Sequence, residues 1–276
     1  MEDRRARNPS GVSNDMRLTE VEQWLDRLYI AAEGAGLRDE DRRKAREVAA
    51  MLDEVERAAG RFSRRSPLVL VDAAAGKSYV GLLAAKLVLE PMGVQATVVT
   101  IERDAARAAL ARAAVERLDT PIPIECRAAD VADAGVWPAE PSIVTALHAC
   151  GPAADAIIDC AVSVRARELL LVPCCTSRGV EAAVGAEAAA ARFGIPRHAP
   201  VRRRFIQSIV DAERTWRLEA AGYETEVVEL VGATVTPHNL LWRARRVGEP
   251  TRMAAAREAL ERLIGRFVPV QRKGIE

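Results

Sequence analysis

The stretch Tyr223-Glu-Thr-Glu-Val-Val-Glu-Leu-Val231, Gly232-Ala-Thr-Val-Thr-Pro237, then Asn239-Leu-Leu-Trp-Arg-Ala-Arg-Arg-Val247 reads as two strand-like runs with no helix between them. A connection that short closes only a hairpin, so the last strand enters its sheet antiparallel. Upstream, from Pro67, short β-rich runs alternate with helical ones. Strands are expected at 68–71, 96–101, 122–127, 143–147 and 168–172. Helices follow the first strand to about residue 89, then cover 104–118, 153–164, 180–192 and 208–221. Strand, helix, strand repeated in this way predicts a parallel sheet with right-handed crossovers and helices on both faces. The fold class is therefore α/β: a seven-stranded, mostly parallel sheet ending in an antiparallel hairpin. A dinucleotide dehydrogenase would normally supply a second parallel half instead.

Ahead of this domain, assigned to 66–248, lies a helical segment at 17–65. Leu18, Val21, Leu25 and Leu28 fall at helical spacing, and so do Ala45, Val48, Ala49, Leu52 and Val55 in a run that Gly60 ends. Residues 1–16 are polar and aperiodic and are expected to be disordered; 249–276 is expected to form a helix and tail. The 276 residues suffice for one large domain with an extension. Forty basic residues against 39 acidic ones leave a net charge of +1, so no global field draws in nucleic acid or an anionic membrane. No run approaches the ~18 apolar residues needed to cross a bilayer, and the N-terminus lacks the apolar core of a secretory signal. Five cysteines, an odd number with two adjacent, do not suggest a disulfide framework. The expectation is a cytoplasmic protein with reduced thiols and no membrane partner; oligomeric state stays open.

In an open parallel sheet, ligands bind outside the carboxyl ends of the strands. The first such end is Val71-Asp72-Ala-Ala-Ala-Gly76-Lys77-Ser78-Tyr79, a small-residue turn opening a helix. The glycine that a phosphate-cradling Gly-Lys-Ser loop requires falls at Val71, and a dinucleotide fingerprint needs three glycines where only Gly76 stands. Neither rival fits. Strand two ends in Glu102, placed to accept ribose hydroxyls, and strand three is followed by Asp130, placed to bond an adenine amino group. The expected cofactor-binding set is Asp72, Ala74, Gly76, Ser78 and Tyr79 at the first turn, Glu102 and Arg103, Asp130 and Val131, and Leu147.

At the other strand ends, His148 and Cys150 follow strand four, and Cys174 and Cys175 follow strand five. Thr236, His238 and Asn239 arrive at the same edge because the last strand runs the other way. His148 is the first choice for a base that removes a proton from an acceptor, with Cys150, His238 and Asn239 completing the expected catalytic set. Zinc or iron binding, a redox or methyl-accepting cysteine, and plain packing are the competing readings; no metal is assigned. Arg202-Arg203-Arg204-Phe205 is read as preceding the penultimate helix and able to grip a phosphate or carboxylate.

The elements Asp72-Ala-Ala-Ala-Gly76-Lys-Ser-Tyr-Val-Gly81, Ala146-Leu-His-Ala-Cys-Gly151-Pro-Ala-Ala-Asp155, Val172-Pro-Cys-Cys175 and Thr236-Pro-His-Asn239 together resemble a methyltransferase-domain family. That family includes the tRNA acceptor-stem 2′-O-methyltransferases and lies near the glutathione-S-transferase C-terminal-domain-containing proteins. The resemblance covers roughly residues 66–247. Many bacterial relatives carry aspartate in place of Gly151 and lysine in place of His238, and the tRNA enzymes carry zinc-binding modules not seen here. The resemblance implies a Rossmann-like class I fold with strand order 3-2-1-4-5-7-6 and S-adenosylmethionine as methyl donor. It implies RNA as the leading acceptor, with a protein or small molecule close behind. A donor-binding protein without turnover and a nicotinamide-dependent oxidoreductase are the alternatives from other classes.

Overall fold

The computed structural model describes residues 14–30, 36–174 and 179–267. Helix α1 (Asn14–Leu25) continues through a wide π-helical turn, Asp26–Ile30, and packs on α2 (Asp39–Ala59). The first helix therefore begins inside the stretch expected to be disordered. Its first buried residue is a charged one, Arg17, whose guanidinium donates to Glu56 at 2.7 Å and to the Leu87 carbonyl at 3.0 Å. A pattern search for apolar periodicity starts too late at such a residue. α2 buries Ala45, Val48, Ala49, Leu52 and Val55, the stripe its spacing predicts, and Met51 beside it.

Then the sheet begins: β1 (Leu68–Ala73), α3 (Tyr79–Ala84) running through a π-helical stretch into the short α4 (Glu90–Met92), β2 (Ala96–Glu102), α5 (Ala105–Leu118) and β3 (Ile124–Ala128). β4 (Ile143–Ala149), α6 (Pro152–Ser163), β5 (Glu168–Pro173), α7 (Glu181–Arg192) and α8 (Ala199–Ala220) follow. β6 (Tyr223–Glu229), β7 (Leu240–Arg246) and α9 (Pro250–Phe267) are the last described elements. The strand order is β3-β2-β1-β4-β5-β7-β6. β1 to β5 are mutually parallel, whereas β7 lies antiparallel to both β5 and β6, with Val227 opposite Trp242. The seven-stranded Rossmann-like sheet and its terminal hairpin are as the sequence predicts.

Successive residues of each central strand face opposite sides of the sheet. Leu70, Val98, Leu170 and Leu241 enter a core shared with α1, α2 and α3. Their neighbours Val71, Val99, Leu171 and Trp242 enter a second core with α6 and Leu218 of α8. The N-terminal helices thus form part of one covering layer rather than a separate body.

α8 starts nine residues earlier than expected, and Arg202-Arg203-Arg204-Phe205 lies within it, not before it. Pro200 occupies its first turn, where the missing N–H has no helical partner to lose. β3 begins at Ile124 rather than residue 122, because Pro123 interrupts the run and cannot donate to a ladder. Among the described residues, no helix is long and apolar enough to cross a membrane.

α3 lies against the sheet because Gly81 has no side chain. A Cβ there would stand 2.9 Å from Thr100 Cγ2 and 3.0 Å from Asp72 Cβ. Overpacking of this kind costs about 1–3 kcal/mol, against roughly 1 kcal/mol regained in helix propensity. We expect Gly81→Ala to lower the urea midpoint of unfolding, while Gly265→Ala in α9, with nothing within 4 Å of its added methyl, leaves it unchanged or raises it. Equal midpoints for the two variants would remove this account of the α3 packing.

Candidate functional site

The turn after β1 is built from unusual backbone. Ala74, Gly76 and Ser78 all take positive φ, at 52°, 60° and 61°. Two of the three are not glycine, and such strain concentrates at functional sites. The turn is held from beneath. Glu102, at the end of β2, accepts the Gly76 N–H at 2.7 Å with one oxygen and the Asp104 N–H at 2.9 Å with the other. Asp72, only 2% exposed, accepts the Gly81 N–H at 2.8 Å and the Thr145 hydroxyl at 3.4 Å. Burial pushes its carboxyl up to about 7, against the pull of those two bonds and with some help from the Glu102 charge. Ser78 is fully buried, and its hydroxyl has no partner among the described residues. From the N-terminal layer, the Tyr29 hydroxyl donates to the Lys77 carbonyl at 2.7 Å, and its ring meets Tyr79 edge to face at 4.7 Å.

Above this turn lies a cavity of about 350 Å³, within the range of small-molecule sites. Of the expected cofactor set, Asp72, Ala74, Gly76, Tyr79 and Leu147 line it, and His148 joins them. Lys44 and Val48 of α2 and Arg107 of α5 also line it. Ser78, Glu102, Arg103, Asp130 and Val131 do not. Glu102 lies directly under Gly76, and Ser78 is buried at the helix start. Arg103 is exposed beside Asp104, whose side chain caps α5. Asp130 is exposed and accepts the Ala132 N–H at 2.9 Å, whereas Val131 is buried and its carbonyl accepts from Trp137.

β4 is irregular where it reaches the site. Leu147 pairs with Val172 and Ala149 with Pro173, which leaves His148 as an extra residue. It takes φ 65°, the left-handed geometry of a bulge that re-aims a side chain. Its ring Nε2 lies 2.7 Å from Glu47 Oε1 on α2, and Lys44 Nζ lies 2.9 Å from the other Glu47 oxygen. Burial alone would raise the Glu47 carboxyl, but the bonds from His148 and Lys44 outweigh it and hold it below its usual value. Neither Glu47 nor Lys44 was expected at the site. Their signal is a charged pair bordering the apolar stripe of α2, which reads from sequence as a solvated edge.

Three expectations for the reacting edge need correction. Cys150 and Cys174 form a disulfide, with Cα atoms 5.2 Å apart. The adjacent ends of β4 and β5 bring them together, and an odd cysteine count hides such a pair. This sulfur pair is therefore not the set of reduced thiols expected, and Cys150 is not available as a nucleophile or ligand in this state. Asn239 is buried, its amide donates to the Val231 carbonyl at 2.9 Å, and it lines the cavity that also holds His238, not the one lined by His148. His238 does not join His148 in one cavity. It lines a second one, of about 490 Å³, with Pro173, Cys174, Arg203, Arg204 and Gln207. Burial and the nearby charges of His148 and Arg203 lower its pKa. Cys175 lies outside the described residues. Among those residues, no group of three or more His, Cys, Asp or Glu is placed to hold a metal.

The model of a family described as a methyltransferase domain matches residues 43–180, half of the chain. No curated protein matches the sequence. Among solved structures, magnesium protoporphyrin IX methyltransferase from Synechocystis with bound S-adenosylhomocysteine is similar at 14% identity and TM-score 0.49, covering 83% of this chain and 99% of that one. A Podospora anserina methyltransferase bound to the same product gives 10% identity and TM-score 0.47, over 84% and 88% of the two chains. The citrinin polyketide synthase CMeT domain gives 12% identity and TM-score 0.50, over 85% and 66%, a likeness of fold alone.

Asp72 makes stability depend on pH in a direction opposite to that of a salt-bridged carboxylate. Its folded value lies above its ordinary 3.8. Its contribution is therefore complete below that ordinary value and is lost as pH rises through about 7. We expect Asp72→Asn, which keeps an acceptor for Gly81, to flatten the fall in urea midpoint between acid and neutral pH. An identical slope in wild type and variant would show that Asp72 titrates normally.

Proposed function

The chain belongs to the methyltransferase-domain family and is an S-adenosylmethionine-dependent methyltransferase; from that premise we propose that the donor lies over the β1–α3 turn and that His148 is the general base. When bound, the donor supplies an electrophilic methyl on a sulfonium sulfur. The residues fit it. Gly76 lines the cavity and leaves open space where a Cβ would stand, and Glu102, directly under it, keeps lone pairs beyond the two it gives to backbone N–H groups. In this reading Glu102 and Asp130 bind the nucleoside end, with Arg103 and Val131 flanking them, while Ala74, Tyr79 and Leu147 enclose the rest.

The observation that carries the proposal is the 2.7 Å contact between Glu47 and His148 at the cavity wall. An ionised Glu47 accepts a proton-bearing Nε2, so that Nδ1 is left as the unprotonated nitrogen. A base so oriented takes a proton from the acceptor's hydroxyl or amine while Glu47 stabilises the imidazolium that forms. Glu47 is a positioning residue in this scheme, and Lys44 keeps it charged. The RNA acceptor implied by the resemblance gains no support from the comparisons.

Two measurements test the assignment. Glu102→Ala should weaken S-adenosylhomocysteine binding by about 1–3 kcal/mol, the loss of bonds to a charged group, with no binding of nicotinamide dinucleotides to either protein. His148→Ala should lower turnover by about 10²- to 10⁴-fold at nearly unchanged donor affinity. Glu47→Gln should lower turnover less, at unchanged donor affinity, because a neutral amide no longer stabilises the imidazolium formed during the transfer. Full turnover in His148→Ala, or stoichiometric zinc in untagged protein, would dismiss the base.

A further inference from the structure

We infer that the second cavity is the acceptor site and that it takes a small molecule carrying a carboxylate or phosphate; this rests on the methyltransferase reading above. The cavity flanks the same strand ends as the donor cavity. Cys174 lines it and is bonded to Cys150, two residues beyond His148, and the Cys174 N–H donates to the Ala149 carbonyl at 3.3 Å. An acceptor held there presents its nucleophile beside His148.

Its charge is one-sided. Of the three consecutive arginines, Arg202 is spent on α7, where it pairs with Glu187 at 2.6 Å and also donates to the Glu187 carbonyl. Arg203 and Arg204 line the cavity and have no ion pair or side-chain hydrogen bond among the described residues. Arg203 also lies near enough to His238 to depress its protonation. The single acid in the lining is Asp211, which accepts from Gln207 at 2.7 Å and whose carboxyl burial pushes up to about 6. Two guanidiniums at a concave wall, without an ion-pair partner among the described residues, are the chemistry that binds a carboxylate or phosphate. Pro173, Pro200, Pro237 and Leu240 supply apolar walls for the rest of the molecule.

The cavity, of about 490 Å³, has the size of a small-molecule site. Trp242 forms its floor, 1% exposed, and donates its indole N–H to Thr215 at 2.9 Å.

The test uses the whole protein and reads the indole N–H resonance of Trp242, assigned by its loss in Trp242→Phe. Benzoate and phenyl phosphate, titrated with and without S-adenosylhomocysteine, should shift it at least about tenfold more tightly than benzamide, as expected for a charge-assisted contact. The preferred anion of the two identifies the acceptor's charged group. Arg203→Gln with Arg204→Gln should erase the preference while leaving S-adenosylhomocysteine affinity unchanged; both side chains are exposed, so folding is not at stake. Equal binding of benzamide, no binding of either anion at millimolar concentration, or an unaltered preference in the double variant would overturn the inference. So would a single-stranded RNA oligonucleotide that occupies the cavity more tightly than both anions. If S-adenosylhomocysteine fails to bind while the anion preference persists, it is the donor assignment that falls, and the anion site stands.

Discussion

The hydrogen bond from the Gly81 N–H to the buried Asp72 carboxylate sets the geometry on which the site depends. It draws the first turn of α3 down onto β1 and β2, an approach open only to a residue without a side chain. Once α3 is held there, the five residues from Ala74 to Ser78 must climb from strand to helix in a short path, and they do so through three left-handed residues. Those conformations lift the backbone away from the sheet end and leave concave space above Gly76. A carboxylate buried this deeply is expensive to ionise, and its raised pKa records that cost. The strained turn is stable because Glu102 and Asp72 fasten it at both ends.

The N-terminal helices then make a sheet end into a site. α2 packs across β4 and brings Glu47 to the bulged His148. A histidine in an ordinary strand would continue the ladder and face one of the two cores. As the extra residue of a bulge it leaves the ladder and meets α2 instead. The charge order Lys44, Glu47, His148 therefore exists only in the folded chain: Lys44 and Glu47 are one helical turn apart, but His148 lies 101 residues beyond Glu47.

Long-range order of this kind separates what the sequence could disclose from what it could not. Every strand, the crossovers and the antiparallel hairpin follow from alternating apolar runs and loop lengths, which are local properties. Asp72, Gly76, Tyr79, Leu147 and His148 could be located because topology alone brings strand ends together. Glu47 was missed because its partner lies on another element and it borders an apolar stripe, where charged residues are ordinarily solvated. The Cys150–Cys174 pairing was missed because cysteine arithmetic counts residues and not distances. Asn239 has a second task that its position does not disclose: besides lining the cavity of His238, its amide ties the long hairpin connection. α8 was begun too late because Pro200 and three arginines resemble a loop, although proline is well accommodated in a first helical turn.

The disulfide also decides how the strand ends divide their chemistry. Cys150 and Cys174 join β4 to β5 at the point where one cavity gives way to the other. With both sulfurs bonded to each other, neither is a thiolate, and the imidazoles of His148 and His238 are the remaining neutral bases at this edge. Of the two histidines there, His238 faces the cation of Arg203 and has no carboxylate beside it, so its surroundings oppose the charge a base acquires. His148 has Glu47 at hydrogen-bond distance. The two rings share one edge of the sheet but meet opposite neighbours, a carboxylate at His148 and a guanidinium at His238.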